Sequence, residues 1–363
     1  MKISVVTPRF SVGGVSFAQI RFARALAKKG HEVDLVVGYV EPQYELPNAS
    51  GVNVHLWSQP KVRGMLFPLI RYLRSAKPDV VFSAEDHLNT TALLAAIFSG
   101  SRAKFSGSSR VTPFDTYSNV PFTKRWLLKQ LARAVMWRAD VLTCVSRDMV
   151  EQYRQVFDSP PHVCVYNIVD DGHSRLRMQE PVEHEWLDRK GCPVLVAAGT
   201  LTPRKGFADL IRAMKELSQS RSARLIILGD GPLRSELEAL IVELGLSNVV
   251  KLQGYVENPL KYFARADIFV LSSYAEGLPN VLVEAMMCGC TPVSTDCPTG
   301  PREVIQDGKY GYLVPMRDPA AMAAGIEEAL DNPIPKDRLA ESVRPFDEET
   351  VIERHFELLG LTG

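Results

Sequence analysis

The chain has 363 residues, which is too long for one ordinary hydrophobic core and predicts two domains. Its content of 46% apolar and 23% charged residues excludes a disordered or fibrous protein. The net charge is zero, but residues 1–170 hold 21 Lys and Arg against 13 Asp and Glu, so the two halves are predicted to meet different partners.

The cysteines and the apolar runs indicate the compartment. The six cysteines include no C-x-x-C pair, which argues against a zinc or redox motif and favours a reducing environment. The first apolar run is too short for a signal peptide, and no run approaches the length of a membrane span. We therefore expect a cytoplasmic protein, with the inner face of the plasma membrane left open as its position.

The first half of the chain alternates apolar runs with helical patterns. A strand at residues 2–8, a turn containing Gly13 and Gly14, a helix at 15–29 and a strand at 31–39 form a βαβ unit. The glycine turn suits a phosphate, although turn geometry alone would also explain it. Further predicted strands, at 52–56, 80–83, 104–106 and 141–145, complete a doubly wound parallel sheet. His87 follows one of them, where either a ligand contact or a surface histidine is expected.

Two basic stretches interleaved with aromatic residues stand out, at 61–77 and 124–138. Each is either an amphipathic helix with a solvated basic face or a surface for an anionic membrane or a lipid diphosphate. Nucleic acid is the weaker alternative, because no recognition motif accompanies the charge. The composition of the first stretch, with Phe67 and Leu69 among arginines, favours an interfacial helix.

A polar, proline-containing linker at 159–189 leads to a second α/β pattern. A strand at 194–198 ends in a loop that carries Arg204 and Lys205 before a helix at 207–217. Adjacent cations in a loop between a strand and a helix suit a diphosphate. The next strand, 224–228, turns at Gly229.

Two glutamates flank the start of a helix in the stretch 266–289. The apolar run within 266–273 predicts a strand buried on both faces, and a helix at 281–288 stops at Gly289. Glu276 lies in the loop between them, and Glu284 lies one turn inside the helix. A carboxylate there can accept two ligand hydroxyls, although a cap at Glu276 and a solvated Glu284 would be the ordinary alternative.

The backbone at this helix start predicts an anion site. Glycine allows close approach to a ligand, and the first amides of a helix have no intrahelical acceptor. The residues of this predicted site are Gly277, Leu278, Pro279, Asn280 and Val281.

The Glu276-x7-Glu284 spacing, the E-G-L-P-N loop and the small-residue run at 288–293 resemble the signature of retaining nucleotide-sugar glycosyltransferases, the family-four group of the GT-B fold. The resemblance implies two α/β, doubly wound Rossmann-like domains facing a cleft. They would be an acceptor-binding domain at 1–165 and a donor-binding domain at 166–340. A helix within 341–363 would cross back to the first domain.

The resemblance also implies the reaction and its residues. A sugar would pass from a nucleotide diphosphate sugar, by family frequency a UDP-sugar, to an acceptor hydroxyl with retention, in the synthesis of cell-surface polysaccharide, lipopolysaccharide or lipid-linked glycan. Glu276 would orient the donor sugar, Arg204 and Lys205 would hold the diphosphate, and Glu284 would hold the ribose. Contacts with the rest of the donor are implied for Gly13, Gly14, Gly229, Tyr255 and Val256.

One family position differs in this chain. Many relatives carry a histidine after the later strand, where this sequence has Ser108-Ser109-Arg110, so a catalytic histidine is in doubt. Arg110 becomes the candidate contact for acceptor or phosphate, with a surface cation as the alternative. No metal requirement is expected, because the cations already serve the diphosphate and no Asp-x-Asp pair is present.

Two other functions fit the same fold. A nucleotide-sugar 2-epimerase would use the diphosphate site without an acceptor, but the basic, apolar first domain argues against it. A catalytically silent binding module would not need Glu276, Glu284 and the two adjacent cations.

Overall fold

The computed structural model describes residues 1–10, 14–42, 44–46, 49–157, 162–188 and 191–361. The chain divides into two compact units: Met1–Ile168 with Glu348–Gly363, and Val169–Asp347. The domain boundaries predicted from the sequence lie a few residues before both of these divisions. The fold is the predicted one, with two doubly wound α/β units.

The first unit contains a seven-stranded sheet in the order β3-β2-β1-β4-β5-β6-β7. Every neighbouring pair is parallel. The last strand falls in the predicted linker and was missed. The strands are β1 Lys2–Thr7, β2 Glu32–Val37, β3 Val52–Leu56, β4 Val80–Ala84, β5 Lys104–Ser109, β6 Val141–Cys144 and β7 His162–Cys164.

The second unit contains a six-stranded sheet in the order β10-β9-β8-β11-β12-β13, again with parallel pairs throughout. Its central strands are buried along their length, as expected where helices cover both faces. The strands are β8 Val194–Ala198, β9 Arg224–Leu228, β10 Val250–Gly254, β11 Ile268–Leu271, β12 Thr291–Thr295 and β13 Tyr312–Val314.

Helices connect the strands of both sheets. Those in the described residues are α1 Gly14–Lys28, α2 Leu66–Ala76, α3 Asp86–Ser99, α4 Pro113–Thr116, α5 Lys124–Val135, α6 Arg147–Val156, α7 Gly172–Met178, α8 Glu185–Asp188, α9 Phe207–Leu217, α10 Arg234–Glu243, α11 Leu260–Phe263, α12 Asn280–Met287, α13 Pro301–Ile305, α14 Pro319–Asp331, α15 Lys336–Val343 and α16 Glu348–Leu358. None of these helices combines the length and the hydrophobicity needed to cross a bilayer.

Each sheet has one point where the strand order reverses. In the first unit it lies between β1 and β4, and in the second between β8 and β11. The loops after these strands leave the sheet in opposite directions, which opens a crevice at the carboxyl edge. Ligands of open α/β sheets bind at that place, so the loops that follow these strands are the candidate ligand-binding loops.

Two apolar cores cover the two faces of the first sheet. Side chains alternate along β1, so Ile3 and Val5 join the core beneath α1 while Val6 joins the core beneath α2 and α3. The last helix, α16, packs Val351 and Ile352 into the core beneath α1. This contact explains why the end of the chain belongs to the first unit.

The interpretation of the first basic stretch as an interfacial helix is wrong for most of its apolar residues. Leu69 and Leu73 of α2 are buried in the core, and the Tyr72 hydroxyl donates to Asp34 Oδ2 at 2.6 Å. Phe67 alone among the large apolar side chains of α2 is mostly exposed, at 77%. Composition indicated an amphipathic helix correctly but assigned its apolar face to the wrong environment.

A buried histidine couples the stability of the first unit to pH. His355 of α16 packs between the rings of Phe22 and Phe82, with centroid distances of 5.0 and 5.3 Å. Burial lowers the pKa of His355 to about 3. Below pH 6.5 the unfolded chain binds a proton that the folded chain does not, so stability is lost as the pH falls.

We expect this one histidine to remove about 2 kcal/mol of the free energy of unfolding between pH 7 and pH 5. His355→Phe should lessen the loss by that amount in urea unfolding at the two pH values. The matched control is His87→Phe, since His87 is exposed on α3. Equal losses in the two variants would contradict the assignment.

Candidate active site

The loops after β8 and β11 meet at the reversal point of the second sheet. Ser272 Oγ donates to the Lys205 carbonyl at 2.8 Å, and the Tyr274 amide donates to the Arg204 carbonyl at 2.8 Å. Gly206, with φ of 64°, is required at this approach, because a Cβ added there would lie 2.0 Å from the Ser272 carbonyl oxygen. The two loops are therefore fixed to each other through their backbones.

Lys205 and Glu276 form a nearly buried ion pair between these loops. Lys205 Nζ lies 2.5 Å from Glu276 Oε1, and the two side chains are only 14% and 9% exposed. Ser273 Oγ donates to the same Oε1 at 2.6 Å. Glu276 Oε2 makes no hydrogen bond to the described part of the chain, so one acceptor oxygen is left for a ligand.

A third loop, after β12, supports the backbone of Glu276. The Thr299 hydroxyl donates to the Glu276 carbonyl, and the Glu276 amide donates to the Pro298 carbonyl at 3.4 Å. Gly300 packs so closely that an added Cβ would lie 2.6 Å from Pro279 Cδ. Three loops therefore fix Glu276: the loops after β8 and β11 through its carboxylate, and the loop after β12 through its backbone.

The predicted anion site at residues 277–281 is only partly available. Pro279 has no N–H group, and the Asn280 amide donates to the Leu278 carbonyl at 2.9 Å. The prediction of free amides is wrong at these two positions. Gly277 and Val281 flank them in the same loop and first turn of α12.

Other predicted donor contacts lie along the carboxyl edge of the same sheet. Glu284 is half-buried on α12, and Tyr255 and Val256 follow the edge strand β10, with Tyr255 52% exposed. Gly229 has a packing explanation, since an added Cβ would lie 2.0 Å from the Gly199 carbonyl oxygen. Its requirement for glycine therefore does not by itself indicate a ligand.

Two family models cover most of the chain. One described as "Glycosyl transferases group 1" matches residues 179–345, and one described as "Glycosyl transferase 4-like domain" matches residues 13–167. An uncharacterized glycosyltransferase of Methanocaldococcus jannaschii is 32% identical over 290 residues, which are 73% of this chain and 70% of that protein. The chain belongs to this glycosyltransferase family.

Further relatives agree with the family. The N-acetylgalactosamine-N,N'-diacetylbacillosaminyl-diphospho-undecaprenol 4-alpha-N-acetylgalactosaminyltransferase of Campylobacter jejuni is 30% identical over 313 residues, 83% of this chain and 82% of that protein. The crystal structure of Anabaena HepE in complex with UDP has the same fold, with a TM-score of 0.78, 19% identity and coverage of 100% of both chains. The chain is thus a glycosyltransferase with the GT-B fold.

The other predicted residues of the glycosyltransferase belong to the first unit. Gly13 lies outside the described residues, and Gly14 begins α1. His87 is exposed on the first turn of α3. Arg110 follows β5 and donates through Nη1 to Asn167 Oδ1, and burial lowers its pKa to about 10. Arg110 is therefore no plain surface cation.

Several contacts of the site were not predicted. Ser273 and Thr299 hold Glu276, and the Tyr274 hydroxyl donates to Asp209 Oδ2 at 2.6 Å. Burial raises the pKa of Tyr274 to about 12, and the hydrogen bond to the Asp209 carboxylate contributes to the same shift. The only sequence signal was the placement of polar residues directly after a buried strand, which does not identify their partners.

The ion pair should matter for folding as well as for ligand binding. Removing one member of a buried pair leaves an uncompensated charge, at a cost of about 3 kcal/mol. We expect this loss in Lys205→Met by urea unfolding and a partial recovery when Glu276→Gln is added. Arg204→Met is the matched control, because exposed Arg204 should change stability by less than about 0.5 kcal/mol. Strictly additive effects of the two changes would show that the pair does not contribute.

Proposed function

We propose that this glycosyltransferase moves a sugar from a UDP-sugar to a hydroxyl of an acceptor glycan, with retention at the anomeric carbon. The observation that carries the proposal is the Lys205–Glu276 pair at the reversal point of the second sheet. It places a cation suited to a diphosphate beside a carboxylate suited to a sugar. Both charges are largely withdrawn from water, which strengthens their action on a ligand.

Arg204 and Lys205 would stabilise the departing diphosphate. Negative charge grows on this leaving group as the bond to the sugar breaks, and fixed cations lower the energy of that state. Exposed Arg204 makes no ion pair within the described ranges, so its guanidinium can form two parallel bonds to a phosphate. The Lys205 ammonium becomes available when the ligand competes with Glu276.

Glu276 would orient the donor sugar. Its Oε1 already accepts from Lys205 and Ser273, which lowers its strength as a nucleophile, whereas Oε2 can accept a sugar hydroxyl. Attack from the face of the departing phosphate then gives retention without a covalent intermediate on Glu276. An oxocarbenium-like transition state is also stabilised by a nearby carboxylate.

Glu284 would hold the ribose, and the backbone at Tyr255 and Val256 would contact the base. Carboxylates accept the two hydroxyls of a ribose in fork geometry. We propose uridine as the base because the Anabaena structure with the same fold is a complex with UDP. We expect no divalent cation to be needed, since the sequence has no Asp-x-Asp motif and the two adjacent cations serve the diphosphate.

The acceptor class is inferred from relatives. The name of the Campylobacter relative describes transfer to a glycan on diphospho-undecaprenol, and another relative, from Rhizobium meliloti, is named for lipopolysaccharide core biosynthesis. A lipid-linked or cell-surface glycan is therefore the acceptor that we propose for this chain. Such an acceptor would be met at the inner face of the plasma membrane.

The experiment that tests the function compares a donor alone with a donor plus acceptor glycoside. The full chain is incubated with UDP-sugars in EDTA, and products are identified by NMR. Transfer with the anomeric configuration of the donor supports the proposal. An epimerised nucleotide sugar formed without acceptor would overturn it in favour of a 2-epimerase.

Glu284→Gln should weaken the binding of UDP by about 1–3 kcal/mol, because the amide is a weaker acceptor for the ribose hydroxyls than the carboxylate. Isothermal titration calorimetry in EDTA measures this directly. Glu236→Gln, on α10 of the same unit, is the matched control and should leave UDP affinity unchanged. Equal affinities for Glu284→Gln and the unaltered chain would remove Glu284 from the proposed site.

A basic and apolar patch on and before α5 would meet the membrane. Val120, Phe122, Leu127 and Leu131 are exposed by 61%, 88%, 54% and 42%, and together they form the α5 patch. The flanking cations of the same segment are Lys124, Arg125, Lys129 and Arg133. Exposed apolar side chains beside lysine and arginine match the interface of an anionic bilayer. Leu127 and Leu131 of the patch lie in the second basic stretch and Val120 and Phe122 just before it, whereas Phe67 is the mostly exposed large apolar side chain of α2.

Binding to vesicles tests the patch. The chain should sediment with anionic vesicles, less so at high salt, because each basic residue contributes about 1 kcal/mol that salt screens. Phe122→Ser with Leu127→Gln should weaken binding about tenfold or more. The matched control is Phe67→Ser on α2, which should have little effect. Negligible sedimentation with anionic vesicles at low salt would leave the α5 patch without a membrane role.

A further inference from the structure

Glu85 has a strained backbone at the reversal point of the first sheet. It follows β4 and occupies the N-cap of α3 with φ of 78° and ψ of 136°. Only glycine adopts this region at low cost. The side chain of Glu85 makes no capping hydrogen bond, so it leaves the first amides of α3 without a side-chain acceptor from this position.

A buried network fixes Glu85 beside Arg110. Asp86 accepts hydrogen bonds from Ser109 Oγ at 2.8 Å and from the Tyr153 hydroxyl at 2.6 Å. The Glu85 amide donates to the Ser108 carbonyl at 2.9 Å. These bonds join the start of α3 to the end of β5. Glu85 directly follows β4 and Arg110 directly follows β5, so both lie at the carboxyl edge of the same two neighbouring parallel strands.

Both charged groups have unused hydrogen-bonding capacity. The Glu85 carboxylate accepts no hydrogen bond from the described part of the chain, although Arg9 and Arg110 attract its charge. The buried Nε of Arg110 has no partner among the described residues, while Nη1 donates to Asn167. Buried polar groups are normally satisfied, so the unpartnered Arg110 Nε near the half-buried carboxylate of Glu85, at a ligand-binding edge, indicates a polar ligand.

We propose that Glu85 and Arg110 form a subsite for the terminal sugar of the acceptor. The two oxygens of Glu85 accept from two neighbouring hydroxyls of the sugar, and the guanidinium of Arg110 donates to a further sugar oxygen. Glu85 disfavours a phosphate at the same point, because two anions would repel. The proposal rests on the glycosyl transfer proposed above and names the residues that bind the acceptor's terminal sugar.

The chemistry of the subsite explains the strained backbone. Glycine would relieve the strain at Glu85 but would remove the carboxylate, and asparagine or serine would cap α3 better but would carry no charge. A residue that is poor for the fold and good for a hydroxyl ligand is expected where binding decides the choice. Burial raises the pKa of the Glu85 carboxyl, and the charges of Arg9 and Arg110 oppose that shift.

Initial rates of UDP release with a set of UDP-sugars and methyl glycosides test the subsite. Glu85→Gln should raise the acceptor KM at least tenfold and the donor KM by less than about threefold. With a glycoside that lacks one of the two neighbouring hydroxyls, the acceptor KM of Glu85→Gln should differ less from that of the unaltered chain. Glu151→Gln, an exposed glutamate of α6, is the matched control and should change neither KM.

A second variant separates binding from folding. Glu85→Gly should raise the midpoint of thermal unfolding by a few degrees and still lose the stimulation by glycosides. Two outcomes would overturn the subsite if UDP binding and the donor KM are intact. One is that glycosides stimulate neither the unaltered chain nor any variant. The other is that Glu85→Gln leaves the acceptor KM unchanged. Failure of the unaltered chain to bind UDP would instead overturn the proposed function.

Dodecyl phosphate tests whether Glu85 repels a phosphate. Stronger inhibition of Glu85→Gln than of the unaltered chain would be consistent with that repulsion. Weaker inhibition of Glu85→Gln would contradict the proposal.

Discussion

The buried ion pair between Lys205 and Glu276 is the interaction on which the second unit's site depends. Two charges taken out of water are stable only with close geometry and additional hydrogen bonds. Ser273 supplies such a bond, and glycine at position 206 allows the approach of the two loops that brings the charges together. On the proposed function, an anionic ligand would compete with Glu276 for the same ammonium, so the site would exchange its internal partner for a substrate.

The two units place a carboxylate at corresponding positions but surround it with different groups. Each has a carboxylate near the start of a helix beside its reversal point, Asp86 in the first unit and Glu276 in the second. Asp86 is held by two hydroxyls and is fully buried, which makes it a structural anchor. Glu276 is paired with a cation, and its Oε2 accepts no hydrogen bond from the described residues, which makes it suitable for a ligand. The surroundings, and not the residue type, decide the role.

Most of the fold was predictable because parallel strands buried on both faces appear as short apolar runs. Such runs located β4, β8 and β9 closely. The strand β7 was missed because it has three residues and begins with His162. The partners of Glu276 could not be predicted, since Ser273 and Thr299 reach it only through the packing of three loops. The environment of α2 was misjudged because composition does not tell which neighbours cover an apolar face.

Backbone strain carries the information that composition lacks. In the second unit, the closest backbone approaches between the site loops occur at left-handed glycines, Gly206 and Gly300, although Thr299, Gln306, Asp307 and Arg317 also have positive φ. At Glu85 the first unit keeps a charged residue in a conformation that costs about 1–3 kcal/mol, a notable share of the 5–15 kcal/mol that typically stabilises a folded domain. Within the described residues its side chain caps no helix amide and accepts no hydrogen bond, while the charges of Arg9 and Arg110 offset part of the cost. A ligand at the carboxyl edge of β4, as proposed above, would supply further compensation.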